Sequence, residues 1–297
     1  MGTFRRNLEG ARDTLLNDKF ENKTGSFDGM IAPTHGIGEN REIIHKGETG
    51  RYYNGIPIHA AEGVHESVAE ELRSRFPKGV TVLELGAGSG ALTERLIDLG
   101  FTVTPLDLDD ATWQNRRSKL VVADLNGDEW ENSLDAQQYD AVIAIEVIEH
   151  LQNPRRFVET LFRLTSNNGI CVITTPNVLC ARSTILMLTK GTFHLFSQRD
   201  YFRTGHISIL PHWLLETMGK EVGFSIESTS FTGELGATGP RLLVMWMFSL
   251  ILRLLRGNAF HLKGLEMNGN TLIVFRKSPD MDHQTRPSVR NIRSSAK

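Results

Sequence analysis

Residues 146–154, EVIEHLQNP, set Glu146, Glu149 and His150 directly after the apolar run YDAVIAI, where a buried strand should meet a loop. If the chain turns helically there, the three side chains stand at i, i+3 and i+4 and converge on one side. Such a group can do three things. The imidazole can take a proton from an acceptor hydroxyl, or carboxylate and imidazole together can hold magnesium, manganese or zinc. Alternatively, hydrogen bonds between carboxylate and histidine can brace the loop. The spacing leaves all three open.

A second constellation lies upstream. VLELGAGSGAL places Gly86, Gly88 and Gly90 between an apolar strand and a helix, as needed when backbone approaches a ligand over a helix N-terminus. Read strictly, GAGSGA satisfies the dinucleotide fingerprint, with Asp107 at the distance of a ribose-binding acid. Three features argue for another cofactor. Glu84 puts a carboxylate beside the loop, where it would repel a pyrophosphate but suit a cation. Asp124 ends VVAD, where its oxygens could meet an adenine amino group. A last strand, TLIVFRK, also closes the sheet after a hairpin-like return.

The elements that must position these residues alternate regularly. Strands are expected at 81–86, 101–107, 120–124, 139–147, 169–176, 225–231 and 271–277, and helices at 59–75, 91–100, 154–165 and 211–224. Pro154 suits a first helical turn, where its missing N–H costs nothing. Strands alternating with helices, several strands continuously apolar, predict an α/β fold with a mostly parallel sheet covered on both faces. Residues 1–58 read as a partly irregular N-terminal arm and 278–297 as a disordered tail. The domain between, 59–277, carries insertions at 177–210 and 232–270.

In order and spacing, VLELGAGSGALTERL, the strand end at Asp107, VVADL and YDAVIAIEVIEHL resemble the motifs of class I S-adenosylmethionine-dependent methyltransferases. The resemblance covers about residues 60–232 and the last strand. It implies a Rossmann-like seven-stranded sheet with the last strand antiparallel. Gly86, Gly88 and Gly90 would pass the methionine and ribose portion, and Asp107 would bind the ribose hydroxyls. Asp124 and Leu125 would bracket the adenine, with Glu84 and Glu146 on the cofactor side. The E-x-x-E-H pattern is similar to that of ubiquinone-biosynthesis O-methyltransferases. It is also similar to that of small-RNA 2′-O-methyltransferases, which bind a divalent metal with these residues and a later histidine. His206, in TGHISIL, is the candidate here, giving Glu146, Glu149, His150 and His206 as the implied metal set.

Composition narrows the partners. A net charge of −2 over 297 residues gives no global basic field, and no basic stripe rises above the modest cluster at 182–203, which argues against a nucleic-acid partner. Two cysteines favour a reducing cytoplasm over a disulfide framework. The N-terminus lacks the apolar stretch of a signal peptide. Residues 178–203, apolar and aromatic interleaved with Arg and His, read as an acceptor lid or a packing insertion. Asn177 could reach the acceptor, and Tyr52 and Tyr53 could line the cofactor mouth. RLLVMWMFSLILRLLRG, at 241–257, reads as a buried helix or a homodimer face. The sharper alternative is an in-plane helix giving peripheral contact at the inner face of a membrane. The expected activity is S-adenosylmethionine-dependent O-methylation of a small-molecule or glycan-type acceptor. Its alternative within the class is metal-assisted methylation of a quinone precursor or RNA ribose. An NAD-type oxidoreductase and a non-catalytic S-adenosylmethionine-binding protein are the competing classes.

Overall fold

The computed structural model describes residues 51–136, 138–234 and 268–279, together with helical residues 243, 246–251 and 254. The expectations for residues 1–50, for most of 241–257 and for the tail beyond 279 lie outside the described residues.

The chain enters through a short antiparallel hairpin, β1 (Tyr52–Tyr53) and β2 (Ile56–Pro57). It continues as α1 (Val64–Arg75), β3 (Thr81–Leu85), α2 (Ala91–Asp98), β4 (Thr102–Asp107) and β5 (Val121–Val122). A 3-10 turn at Trp130–Ser133 leads to β6 (Tyr139–Ile145), and a second, Ile148–His150, leads to α3 (Pro154–Leu164) and β7 (Thr165–Pro176). Helices α4 (Ala181–Lys190), α5 (Gln198–Arg203) and α6 (His212–Val222) precede β8 (Phe224–Glu234) and β9 (Asn268–Lys277).

Seven strands form one sheet in the order β5-β4-β3-β6-β7-β9-β8. β5, β4, β3, β6 and β7 pair in parallel, whereas β9 runs antiparallel to both β7 and β8. The last strand therefore enters between two strands made earlier. Alternation along the strands divides the core. Leu83, Leu85, Val142 and Ala144 face α3 and α6, while Val82, Ala141 and Ile143 face α1 and α2. Covering both faces buries side chains such as Leu83, Leu161, Ile143 and Leu96 fully, each contributing about 1.5–3 kcal/mol. Glu84 falls on the α2 side by the same alternation.

Several boundaries differ from expectation. α1 begins at Val64, not 59, because Gly63 sits in the left-handed region (φ 79°) and residues 57–61 are held by the site instead. The third strand shrinks to Val121–Val122 at the sheet edge, leaving Asp124 in a loop. β7 starts earlier, at Thr165, through an irregularity opposite Tyr139–Ala141. β8 and β9 extend into the expected insertion because Thr232 and Glu234 pair with Asn270 and Asn268. Pro154 does open α3, and the side chain of Asn153 accepts from the Arg156 N–H.

Candidate functional site

The carboxyl ends of β3, β4 and β6 carry the predicted residues into one region. Gly86, Gly88 and Gly90 all have positive φ, and two of them leave no room for a side chain. A Cβ on Gly86 would lie 2.2 Å from Val147 Cγ2, and one on Gly90 would lie 2.6 Å from Asn115 Cβ. The loop is packed from both sides so that its backbone alone faces outward, ahead of α2.

Two carboxylates flank it. Asp107 ends β4 and accepts from the N–H groups of Gly88 (2.7 Å) and Leu108 (2.6 Å), which ties the second strand end to the loop. Glu84 is buried and accepts from the Thr93 hydroxyl at 2.6 Å. Burial pushes its carboxyl up to about 8, with the charge of Asp107 adding to the shift. An arriving cation would restore its ionised form. A buried acid held this way fits the ammonium or sulfonium of S-adenosylmethionine better than it fits a pyrophosphate. Asp124 caps its own turn, accepting from the Asn126 N–H at 2.9 Å, and Leu125 borders a cavity of about 100 Å³ with Gly127, Trp130 and Leu151.

The motif after β6 divides in two, which corrects the four-residue metal set and the expected helical convergence. Glu146 has φ 53°, and its carboxylate accepts from the Ala61 N–H (3.2 Å) and the Asn270 side chain, near Glu149 but outside the close cluster. Burial still raises its carboxyl above the usual range. Glu149, His150 and His206, however, place ligand atoms within 4.8 Å of one another. The 3-10 turn presents Glu149 and His150, while the backbone carbonyl of Glu149 accepts from Ile207 and Ser208 N–H groups (2.9 Å each), pinning His206 beside them.

Each member of this trio is suited to a cation. Glu149 is fully buried; one carboxylate oxygen accepts from Thr175 (3.0 Å) and the other, Oε1, has no hydrogen-bond partner among the described residues. Burial and the nearby Glu146 push its carboxyl up to about 8. His206 Nδ1 lies 2.8 Å from the Leu195 carbonyl, which can only accept, so Nδ1 carries the proton and Nε2 presents a lone pair. The His150 and His206 rings stand edge to face, 4.7 Å apart. Burial and His206 lower His150 to about 4, so its imidazole is neutral at pH 7 and a weak base without further help.

A pH-dependent stability follows. The raised carboxyl of Glu149 means the folded protein holds a proton that the unfolded chain has released, so its contribution is lost as pH rises toward about 8. The buried histidines, lowered in the folded protein, oppose this trend until about a unit above their ordinary value of ~6.5, where they are neutral in both states. Metal-free protein should therefore show a falling thermal midpoint from about pH 7.5 to 8.5. Glu149→Gln should flatten that fall, with Glu84 and Glu146 accounting for what remains. An unaltered slope would mean Glu149 is not the group being ionised.

Other expected residues lie elsewhere. Tyr53 donates to Asp98 (2.9 Å) with Arg95 over its ring, and Tyr52 is exposed. Asn177 is buried, its side-chain oxygen accepting from Leu179 N–H to close the turn after β7. Four contributors were not foreseen: Ala61, Thr175, the Leu195 carbonyl and Asn270. Only Thr175, in the strand end TTPN, carried a signal in sequence. Beside His206 opens a cavity of about 390 Å³, lined by Phe196, Ser197, Tyr201, Phe202 and Ile207, so part of the 178–203 insertion borders one member of the trio.

A glycine loop over a seven-stranded sheet, with acids ending the neighbouring strands, defines a nucleoside-cofactor domain of the class I methyltransferase type. The chain belongs to the methyltransferase domain family, whose match spans residues 59–229. Among curated relatives it is 34% identical over 114 residues to a probable S-adenosylmethionine-dependent methyltransferase of Mycolicibacterium smegmatis, covering 38% of this chain and 44% of that protein. It is 32% identical over 136 residues to the mitochondrial ubiquinone biosynthesis O-methyltransferase of Arabidopsis thaliana, covering 39% and 41%. The chain thus spans less than half the length of these relatives. A solved SAM-dependent methyltransferase from Archaeoglobus fulgidus shares the fold, with a TM-score of 0.50, 18% identity and coverage of 72% of this chain and 94% of that one.

Proposed function

We propose that this chain is an S-adenosylmethionine-dependent O-methyltransferase acting on a small-molecule or glycan-type acceptor with an apolar or aromatic body. The observation that carries the reading is the Glu149–His150–His206 trio, which opens beside an aromatic-lined recess at the same strand end as the glycine loop. S-adenosylmethionine supplies a methyl group already activated on a cationic sulfur. The chain's own residues then have three tasks. The glycine loop and Asp107 hold the nucleoside part, and Glu84 answers the positive charge. The recess holds the acceptor's body so that its hydroxyl faces the trio, since a displacement needs the reacting atoms about 3–3.5 Å apart. Phe196, Tyr201 and Phe202 offer that body an aromatic lining.

The trio handles the hydroxyl proton. Glu149, His150 and His206 are the residues that would hold a divalent cation, which would acidify a hydroxyl placed on it. The metal-assisted reading is favoured over unaided base catalysis because His150 is held far below neutral, while Glu149 Oε1 is buried and unengaged. The quinone-precursor variant draws support from the resemblance to ubiquinone O-methyltransferases, and the aromatic recess suits it better than it suits a ribose.

Turnover of labelled S-adenosylmethionine to S-adenosylhomocysteine with catechol-type acceptors tests the activity. Chelation should abolish it, and added magnesium, manganese or zinc should restore it. Undiminished turnover after exhaustive chelation would remove the metal from the mechanism, and binding of NADH in place of S-adenosylmethionine would remove the class.

A further inference from the structure

The helical residues between β8 and β9 present an apolar stripe to solvent. Leu243, Trp246, Met247, Leu250, Ile251 and Leu254 recur at the three- and four-residue spacing of one helix face. Each is between 46% and 74% exposed, whereas Ser249, on the other side, is buried. One side of this helix is therefore anchored, and the other holds six large apolar side chains out in water. That is more contiguous apolar surface than chance exposure of single residues explains.

Charge identifies what covers it. From 235 to 265 the sequence carries Arg241, Arg253, Arg256 and Lys263 and no aspartate or glutamate, in a chain whose net charge is −2. We infer that this stripe docks on an anionic lipid surface, lying in the plane of the interface with its apolar residues among the acyl chains and its cations at the headgroups. A second copy of the chain is a poorer occupant. Antiparallel pairing about the centre of the stripe would oppose Arg241 to Arg256 of the other copy, and parallel pairing would set each arginine against itself. No acid within the stretch would neutralise either arrangement. The mostly apolar run 242–252, broken by Ser249 and bounded by Arg241 and Arg253, is far shorter than the roughly 20 residues a bilayer span requires. No helix among the described residues is long and apolar enough to cross. The inference stands apart from the choice of acceptor, and a surface-bound enzyme of this kind would meet acceptors carried in or on a bilayer.

The test is co-sedimentation of the full chain with phosphatidylcholine vesicles, with and without phosphatidylglycerol. Binding should be at least ~10-fold tighter to the anionic vesicles and should weaken as salt screens the headgroups. Trp246 should report insertion as a fluorescence blue shift that Trp246→Phe abolishes. Leu250→Glu and Leu254→Glu should each weaken binding at least ~10-fold, with circular dichroism and thermal midpoints unchanged, because both positions are exposed. If Leu250→Glu disturbs folding, Leu254→Glu, at 74% exposure, decides alone. Equal binding to neutral and anionic vesicles, or binding indifferent to the glutamates, would overturn the inference. So would a dimer in light scattering that Leu250→Glu dissociates, since the stripe would then belong to a second copy.

Discussion

Replacing His150 by alanine should lower turnover at least ~100-fold while leaving S-adenosylmethionine affinity within a few-fold. The first half rests on position: His150 clusters with Glu149 and with His206, which lines the recess where the acceptor hydroxyl would lose its proton. The second half rests on partners. The glycine loop is shaped by Val147, Asn115 and Asp107, whereas the imidazole bonds backbone groups of Glu146, Thr204 and Gly205. Two readouts distinguish the roles a histidine can play here. If it holds a cation, His150→Ala should also weaken binding of manganese measured on the free protein, and His206→Ala should do the same. If it is a lone base, metal binding is unmoved and the pH profile of turnover loses a limb. Turnover that survives within a few-fold makes His150 a brace for the turn and withdraws it from the chemistry.

The second large effect is expected at Gly86. An alanine there puts its Cβ 2.2 Å from Val147 Cγ2 and must also adopt φ near +75°. Left-handed backbone costs an L-residue about 1–2 kcal/mol, and overpacking typically costs about 1–3 kcal/mol more. The loop can escape only by moving, and it is the loop that meets the cofactor. Gly86→Ala should therefore weaken S-adenosylmethionine binding about 30-fold or more, at roughly 1.4 kcal/mol per factor of ten. Adding Val147→Ala should recover part of the loss by removing the clash but not the backbone strain. Calorimetry on the two single variants and the double gives the coupling directly. Full recovery would mean that the collision was the whole defect, and no recovery would mean that Val147 does not shape the loop.

How much of this was legible in the sequence varies with how far each cause lies along the chain. Strands such as Val82–Leu85 and Ala141–Ile145 are continuously buried, and their apolar runs gave them away, as did the glycines between β3 and α2. The closing last strand was also foreseen from a hairpin-like return, and its antiparallel direction from the family resemblance. Its place between β7 and β8 was not, because pairing partners far apart in sequence leave no local mark. The chemistry of Glu149, His150 and His206 was legible as residue types. The departure of Glu146 was not: spacing assumes a helical turn, and a positive φ at one residue sends the side chain to Ala61 and Asn270 instead. The short β5 failed for another reason. At a sheet edge only two residues find partners, so VVAD promised more strand than the edge could pair.

The seating of β9 between β7 and β8 has a consequence for how the protein comes into being. Strands β3 to β8 are all made before β9, and in the finished sheet β9 is the partner of both the β7 and the β8 edge. That partner is missing until residues 268–277 emerge, and the same strand then delivers Asn270 to the Glu146 carboxylate. Completion of the sheet and completion of the region around EVIEH are thus a single late event in synthesis. A nascent chain stalled before it keeps an unpaired apolar edge, the kind of surface chaperones and proteases recognise.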